Sequence, residues 1–337
     1  MSDWVRDDVP RKCPRSDGDR GSASSTAAVA SPHLTERISR GPSLARPVPG
    51  EDEERITGSI TVTGRDRKGV VARITQFLFE EDANIESLEE QVTRGRFDMN
   101  LLASWRADRM ELDQREALRD RLAAVGREVG MDARIRFHVE GAAKRMAILV
   151  TKEPHCLEAL LKATADRTLK AETVVVIGNR SDLGPLVEAA DAPFVHVPWT
   201  DRPKAEEALV EVLDRYDVDF LVLARFMRIL SPGFCWRYRN RIINIHPSLL
   251  PAFAGAEAYR QAWEKGVRVV GVTAHFVTPD LDQGPIIHQD AFGVGPDWSV
   301  KKIRQKGQEF EGKVLVEAVR VYLEKRLDVH WGRVWTE

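Results

Sequence analysis

The chain has 337 residues, of which 43% are hydrophobic and 30% charged, with 50 basic and 52 acidic residues. This length predicts two domains, and the near-neutral charge argues against nucleic acid as a partner, because phosphate-binding surfaces carry a basic excess. No apolar run approaches the roughly 20 residues that cross a bilayer, and the cysteines are too few and too scattered for a disulfide framework or a zinc cluster: Cys13, Cys156 and Cys235. We therefore expect a soluble, cytoplasmic protein without a membrane partner.

Residues 1–54 differ in composition from everything that follows. They are rich in Ser, Gly and Arg and hold almost no clustered aliphatic side chains, so they cannot offset the entropy of ordering. A transit peptide is acid-poor and a secretory signal needs an apolar segment. The segment has no apolar run and carries several aspartates: Asp3, Asp7, Asp8, Asp17 and Asp19. We expect a disordered extension over 1–54.

The next region alternates short strands and amphipathic helices. Apolar residues recur on one helical face at Val70, Ile74, Phe77 and Leu78. The predicted elements in chain order are strand 59–63, helix 70–81, a strand from Asn84, strand 97–105, helix 113–126 and strand 133–139. The order βαββαβ is that of the ferredoxin-like split βαβ unit.

A second set of elements begins near Met146. Apolar, β-branched runs predict strands at 146–150, 173–177, 193–197, 220–223, 242–245 and 267–276, with helices at 155–165, 182–190 and 204–216. Strands buried on both faces that alternate with helices predict a doubly wound, mostly parallel sheet. Ligands of such sheets bind beyond the carboxyl ends of the strands, which is where catalytic residues are expected.

The sharpest local pattern is Asn244-Ile245-His246-Pro247. Residues two apart in a strand point to the same side, and Pro247 ends the strand because it cannot donate to a ladder. Asn244 and His246 therefore lie together at a strand's carboxyl end. An amide donor beside a titratable imidazole suits polarisation of a carbonyl and proton transfer in acyl chemistry. A buried Asn and His that satisfy backbone groups would give the same pattern, and spacing alone leaves both interpretations open.

A second pattern places Asp282 in a turn between two apolar strands, with Gly284 freeing the backbone beside it. A carboxylate near His246 would hold an attacking water. An Asx-turn residue is the simpler interpretation of an Asp in a loop. His275 lies on an apolar strand, where a buried histidine with hydrogen-bonded ring nitrogens is more common than a catalytic one.

Several motifs together resemble one known superfamily. They are Asn244-Ile245-His246, Ser248-Leu249-Leu250-Pro251, His275-Phe276-Val277 and Leu281-Asp282-Gln283-Gly284-Pro285. In this order and spacing they are similar to the formyltransferase domain of the glycinamide ribonucleotide formyltransferase superfamily. The run 223–230 matches the segment that lines the pterin pocket in that superfamily. The preceding βαββαβ unit, with Asp66-x-x-Gly69, resembles an ACT domain, and this arrangement is that of the formyltetrahydrofolate deformylases.

The resemblance covers about residues 57–335 and implies the fold, the reaction and the site. It implies an ACT domain over 55–141 and a Rossmann-like catalytic domain over 142–337 that hydrolyses 10-formyltetrahydrofolate to tetrahydrofolate and formate. Asp282 would hold the water, with Asn244 and His246 stabilising the oxyanion. No metal or cofactor is implied, since the folate is the substrate, and the Leu250–Pro251 bond is expected to be cis. The implied substrate-binding residues are Phe226, Met227, Arg228, Ile229, Leu230, Ser248 and Gly284.

The turn after the first strand of the second domain separates hydrolysis from transfer. A transferase that acts on a phosphorylated amine needs a Gly-rich anion cradle there. Thr151–His155 contains no glycine, one carboxylate and a proline, so water is favoured as acceptor. Pro247 points the other way, because deformylases commonly have a second histidine there and transferases have proline. A formyltransferase to an amine, and an amino-acid-sensing protein with a vestigial folate site, are the alternatives.

The ACT resemblance also implies partners. Backbone N–H groups of the turn Asp66–Gly69 would hold the carboxylate of an amino-acid effector at a subunit interface of a homo-oligomer. Oligomerisation alone is the other interpretation, and the two are equally supported. Cys156 and Cys235 are expected to be buried or idle thiols.

Overall fold

The computed structural model describes residues 54–138, 141–325, 327–330 and 332–336. Apart from Glu54, the predicted extension over 1–54 lies outside the described residues. Within the described part of the chain, no helix is both long enough and apolar enough to cross a membrane.

The first sheet confirms the predicted βαββαβ order. Its elements are β1 (Arg55–Arg65), α1 (Val70–Glu80), β2 (Asn84–Thr93), β3 (Arg96–Arg106), α2 (Leu112–Glu128) and β4 (Met131–His138). The four strands are antiparallel in the order β2-β3-β1-β4. One face of the sheet carries the core, and α1 buries the four side chains expected from its periodicity, Val70, Ile74, Phe77 and Leu78. This is the ferredoxin-like ACT fold.

The second sheet has seven strands in the order β11-β10-β9-β8-β5-β6-β7, and those from β9 to β7 run parallel. The antiparallel pairs β9–β10 and β10–β11 form its far edge. The predicted Rossmann-like, mostly parallel sheet is therefore confirmed. Its elements are β5 (Lys144–Val150), α3 (His155–Ala165), β6 (Ala171–Gly178), α4 (Gly184–Glu188), β7 (Phe194–His196), α5 (Arg202–Arg215), β8 (Phe220–Ala224), α6 (Pro232–Arg237), β9 (Ile242–His246), α7 (Ala258–Glu264), β10 (Val269–Phe276), β11 (Ile286–Gly293) and α8 (Val300–Glu324), followed by a hairpin of β12 (Leu327–His330) and β13 (Arg333–Thr336).

The longest helix, α8, is not among the predicted elements. Its exposed face is dense in Lys, Arg, Glu and Gln, which obscures the apolar stripe. That stripe holds Ile303, Val314, Leu315, Ala318 and Val319 and packs on the sheet beside β9 and β10. A charged residue, Glu311, lies on the same buried face.

The polar face of the first sheet packs against α6 of the second domain. Asn100 on β3 donates to the carbonyl of Trp236 at 2.8 Å, and Arg237 forms an ion pair with Asp132 at the start of β4 at 3.0 Å. Since α6 lies between β8 and β9 in the chain, this contact supports the helix that precedes the strand carrying Asn244.

A second contact joins the two sheets directly. Arg136 on β4 donates to the carbonyl of Val218 at 2.7 Å and to one oxygen of the Asp219 carboxylate. The other oxygen of Asp219 accepts from the backbone N–H of Arg145, in β5, at 2.6 Å. One carboxylate therefore bridges β4, the last strand of the first sheet, and β5 of the second.

Candidate active site

Asn244 and His246 lie at the carboxyl end of β9, as the alternation predicts. β9 is held between β8 and β10, and its register places Asn244 opposite His275 and His246 opposite Thr273. His246 Nδ1 lies 3.3 Å from Asp282 Oδ2, and the two side chains are 6% and 7% exposed. The structure thus brings the three predicted catalytic residues together.

Asp282 reaches this position through a tight turn between β10 and β11. Its φ of 55° is left-handed, and its Oδ2 accepts the backbone N–H of Gly255 at 2.9 Å. Gly284 is required two residues later, because a Cβ there would lie 1.7 Å from the carbonyl oxygen of Phe276. The close approach at Gly284 lets the chain fold back, so the carboxylate faces His246.

Both ring nitrogens of His246 face acceptors. Nε2 lies 3.0 Å from the carbonyl oxygen of Phe253, which can only accept, so Nε2 carries a hydrogen. Nδ1 faces the Asp282 carboxylate. Because Nε2 is occupied by the Phe253 carbonyl, Nδ1 is the ring nitrogen on the side of Asp282.

His275 belongs to the same site, although its sequence context does not distinguish it from a core histidine. It is 2% exposed, and Nδ1 donates to the carbonyl of Phe276 at 2.9 Å. Burial lowers the pKa of His275, so the ring is neutral and Nε2 accepts from Asn244 Nδ2 at 3.2 Å. This bond fixes the amide of Asn244 and leaves its second N–H for a ligand.

The loop after β9 is held by Thr273, which is fully buried on β10. Its hydroxyl donates to the carbonyl of Ser248 at 2.6 Å and accepts from the N–H of Leu250 at 3.0 Å and from Gln289 at 2.7 Å. The Leu250–Pro251 bond is cis, as expected. The loop is thereby fixed beside His246.

Asn244, His246, His275 and Asp282 line a cavity of about 560 Å³. The predicted pterin segment, Phe226–Leu230, forms an apolar wall in which Met227 and Ile229 are 57% and 59% exposed. Phe226 supports this wall by packing edge-on against Trp199 at 5.2 Å. The volume and the mixture of an apolar wall with few polar groups suit a small organic ligand.

Two of the predicted substrate-binding residues do not line this cavity. The Ser248 hydroxyl donates to the carbonyl of Ala252 and so fixes the loop. Gly284 packs against the backbone of Phe276 and shapes the turn at Asp282. Both residues therefore hold the backbone around the site in place without lining the cavity.

The opposite end of the cavity carries charged groups that no sequence motif indicates. We call Glu153, His155, Arg225, Tyr259 and Glu311 the β5-end cluster, since Glu153 and His155 belong to the turn after β5 and the first turn of α3. The Glu311 carboxylate is 1% exposed and accepts from Tyr259 Oη at 2.8 Å and from His155 Nε2 at 2.9 Å. Arg225 Nε lies 3.4 Å from Glu311 and 3.6 Å from Glu153.

Electrostatics keep Glu311 and Arg225 ionised. Burial opposes the charge of Glu311, yet the hydrogen bond from His155 and the charge of Arg225 lower its pKa below the usual range. Burial likewise opposes the charge of Arg225, while Glu311 and Glu153 raise its pKa. The sequence offers two signals for this cluster: the carboxylate in the turn Thr151–His155, and Glu311, a charge on the apolar face of α8.

Three potential metal ligands meet within this region: atoms of His155, Cys156 and Glu311 lie within 4.8 Å of one another. Burial raises the pKa of the Cys156 thiol well above its usual value, so the thiol is protonated and a poor ligand. Arg225 already supplies a cation to Glu311. The donor set therefore fits an ion-pair network better than a metal centre. Cys156 and Cys235 are both free and buried, as expected.

The predicted effector turn lies on the first sheet and does not line the cavity. Asp66 to Gly69 are exposed, and the N–H of Asp66 donates to the carbonyl of Gly95 at 2.9 Å. Gly69 has a φ of 87° at the N-terminus of α1, and a Cβ placed there would meet no atom of the described residues within 4 Å. This turn is open to a small ligand.

Comparisons with known proteins agree on one family. The formyl transferase family model matches residues 144–319, and the ACT domain model matches residues 59–136. Formyltetrahydrofolate deformylase of Bacillus subtilis is 38% identical over 278 residues, covering 81% of this chain and 91% of that protein. The crystal structure of the Pseudomonas syringae deformylase has a TM-score of 0.57 at 33% identity, covering 85% and 96% of the two chains. Glycinamide ribonucleotide transformylase 1 of Symbiobacterium toebii has a TM-score of 0.56 at 36% identity, covering 59% and 96%.

Proposed function

The chain belongs to the formyltetrahydrofolate deformylase family, and on that premise we propose that it hydrolyses 10-formyltetrahydrofolate to tetrahydrofolate and formate through Asn244, His246 and Asp282. The observation that carries the residue assignment is the 3.3 Å contact between His246 Nδ1 and Asp282 Oδ2, beside Asn244, in one cavity. The folate is the substrate, and the proposed reaction uses no further cofactor.

The nucleophile in this proposal is a water beside Asp282. The carboxylate accepts a hydrogen bond from the water and takes its proton as the water oxygen bonds to the formyl carbon. The N–H of Gly255 holds Oδ2, so the carboxylate keeps its orientation while the bond forms. The carbonyl electrons then move onto the formyl oxygen.

Asn244 and His246 stabilise that oxyanion. The Asn244 Nδ2 hydrogen that is not bound to His275 points to the ligand side, and the protonated His246 ring adds positive charge. A donor of this kind contributes about 3 kcal/mol to transition-state stabilisation. Because His275 fixes the amide before the substrate arrives, this interaction needs no reorganisation during the reaction.

The second step breaks the bond between the formyl carbon and N10. His246 gives a proton to the departing nitrogen, and the Asp282 carboxyl then passes the proton that it took from water to His246, which restores both groups, while the formic acid formed loses its hydroxyl proton to solvent. The products are tetrahydrofolate and formate, with one proton released to solvent. The pterin lies against the backbone of Arg228–Leu230, and Phe226 and Met227 support it.

The β5 end of the cavity favours hydrolysis over transfer. The turn Thr151–His155 has no glycine, and Thr151 Oγ1 accepts the backbone N–H of Met227 at 3.0 Å. Glu153 adds a carboxylate where a phosphate would need N–H donors. This turn is therefore unsuited to a phosphorylated amine acceptor.

Formyl transfer to an amine is the second candidate. Pro247 and the similarity to the Symbiobacterium toebii transformylase favour it. In that reaction the same three residues would act, and an amine nitrogen would replace water as the nucleophile.

One assay separates these candidates. The purified protein is incubated with 10-formyltetrahydrofolate and no amine, and formate is measured over time. We expect steady formate release that Asp282→Asn and His246→Ala abolish. Formation of product only after an amine is added would favour transfer, and no turnover under either condition would favour an amino-acid-binding protein with a vestigial site.

We also propose assignments for the domains, the location and the partners of the protein. These are an ACT domain over 55–141, a catalytic domain over 142–337, and a cytoplasmic homo-oligomer that binds an amino acid at Asp66–Gly69. Titration of the protein with amino acids, followed by light scattering and formate release, tests the effector and the oligomer together.

A further inference from the structure

Arg225 occupies a backbone position that disfavours an arginine. It follows the last residue of β8, Ala224, with a φ of 61°, which is the left-handed region that a glycine adopts without strain. The strained backbone directs the guanidinium between the carboxylates of Glu311 and Glu153. The side chain of Arg225 is 15% exposed and forms part of the cavity wall.

The carboxylates of the β5-end cluster are engaged within the protein, and Arg225 Nε lies within ion-pair distance of both Glu311 and Glu153 without donating a hydrogen bond to a described residue. Glu311 is engaged by Tyr259, His155 and Arg225. Glu153 accepts from Gln308 at 3.3 Å. An amine that entered this end would have to separate Arg225 from Glu311, and separating a buried ion pair is unfavourable because it leaves an uncompensated charge.

The packing beneath the cluster is equally close. Tyr259 on α7 lies so near α8 that a Cβ at Gly307 would be 2.1 Å from its hydroxyl oxygen. Tyr259 therefore cannot move toward α8 to widen the cavity. Water needs no such rearrangement.

We propose that the β5-end cluster, with Arg225 as its cation, determines the acceptor of the reaction: it excludes amines from the formyl carbon and leaves water as the nucleophile. This inference rests on the proposed function and goes beyond it, because it assigns acceptor specificity to residues that do not touch the reacting atoms. When an amine is admitted, its nitrogen bonds to the formyl carbon, the bond to N10 breaks, and the amine proton passes to N10.

The test compares the wild-type protein with Arg225→Gly and Arg225→Lys. The glycine variant keeps the left-handed backbone without strain and removes the guanidinium, and the lysine variant keeps a cation. Each protein receives 10-formyltetrahydrofolate and glycinamide, and mass spectrometry gives the ratio of N-formylglycinamide to formate after subtraction of a blank without protein. We expect the wild-type protein and Arg225→Lys to give a ratio near zero and Arg225→Gly to raise it at least tenfold.

Three results would overturn the proposal: a wild-type ratio as high as that of the glycine variant, a folded Arg225→Gly that keeps the wild-type ratio, or a folded glycine variant that binds folate but makes neither product. If Arg225→Gly does not fold, Glu311→Gln decides by the same ratio, since it removes the carboxylate that holds the guanidinium. Formate release by the wild-type protein is measured first and without amine. Its absence refutes the proposed function, whereas an unchanged ratio in the variants refutes only this inference.

Discussion

The two ends of the cavity use charged groups in opposite ways. At the β9 end, His246 and Asp282 face each other at 3.3 Å, and Asn244, which lines the cavity, uses one of its two N–H groups for His275. At the β5 end, Glu311 is surrounded by Tyr259, His155 and Arg225, and its interactions stay within the protein. The first end has polar groups that the protein leaves available, and the second holds its carboxylates in an internal ion-pair network.

We therefore expect substitutions at the β9 end to change catalysis and substitutions at the β5 end to change stability. In the proposed mechanism, groups at the β9 end form interactions that strengthen in the transition state, so their loss is expected to lower kcat. At the β5 end, the buried Glu311 carboxylate interacts with Tyr259, His155 and Arg225, so its loss is expected to lower the free energy of unfolding. The following substitutions test that separation.

Asp282→Asn is expected to have the largest effect. Asparagine cannot take the proton of the attacking water, so kcat for formate release falls about 10³-fold, a typical value for loss of an acid–base group. The melting temperature changes little. Asp290→Asn is the matched control, because Asp290 is exposed on β11, and it should leave kcat unchanged. A similar decrease in both variants would contradict the assignment.

Asn244→Ala removes the oxyanion donor while leaving the water and its base in place. We expect kcat to fall about 10²-fold with a smaller change in KM, as for other donors that act mainly in the transition state. Steady-state kinetics of formate release measures both constants. A rise in KM with kcat preserved would instead make Asn244 a group that binds the ground state.

Glu311→Gln tests the β5 end. The amide loses the charge that pairs with Arg225, and the free energy of unfolding is expected to fall by about 2 kcal/mol, the range for hydrogen bonds to charged groups. Urea titration measures this change. Glu309→Gln on the exposed face of α8 is the control, since its pair with Lys306 lies on the surface and should matter little. Equal effects of the two substitutions would remove the distinction between the buried and exposed carboxylates.

His275→Gln is expected to have the smallest effect, which should appear in the pH dependence of the free energy of unfolding. Burial lowers the pKa of His275 in the folded protein below its ordinary value of 6.5, so the unfolded state binds more protons as the pH falls through this range. The contribution of the neutral His275 ring to the free energy of unfolding is complete above about pH 6.5, and it is lost as the pH falls through the lower pKa of the folded protein. Unfolding measured between pH 5 and 8 should show a shallower loss at low pH for His275→Gln. An unchanged slope would mean that another group titrates there.

Local periodicity accounts for the parts of the molecule that the sequence predicts well. The apolar face of α1 and the shared side of Asn244 and His246 follow directly from spacings of 3.6 and 2 residues. The predicted and observed bounds of α3 coincide, and the other predicted bounds lie within two residues of the observed ones, except that β1 begins four residues earlier than predicted. The family resemblance extends this to the cavity wall at Phe226–Leu230.

The β5-end cluster could not be predicted in the same way. Its members lie in the turn after β5, on α3, after β8, on α7 and on α8, so no local spacing relates them. Tertiary packing alone brings Arg225 within 3.4 Å of Glu311. The role of His275 could not be predicted either. A histidine that only hydrogen-bonds to the backbone and one that also orients Asn244 have the same sequence pattern on a buried strand.

The bridge through Asp219 bears on how the two domains unfold. Because one carboxylate is shared between Arg136 on β4 and the backbone of Arg145 in β5, neither sheet can separate without leaving charged and polar groups of the other unpaired. The domains should therefore melt in a single cooperative transition rather than one after the other. Since the bridge is ionic and partly exposed, high ionic strength should weaken it and allow the two transitions to separate.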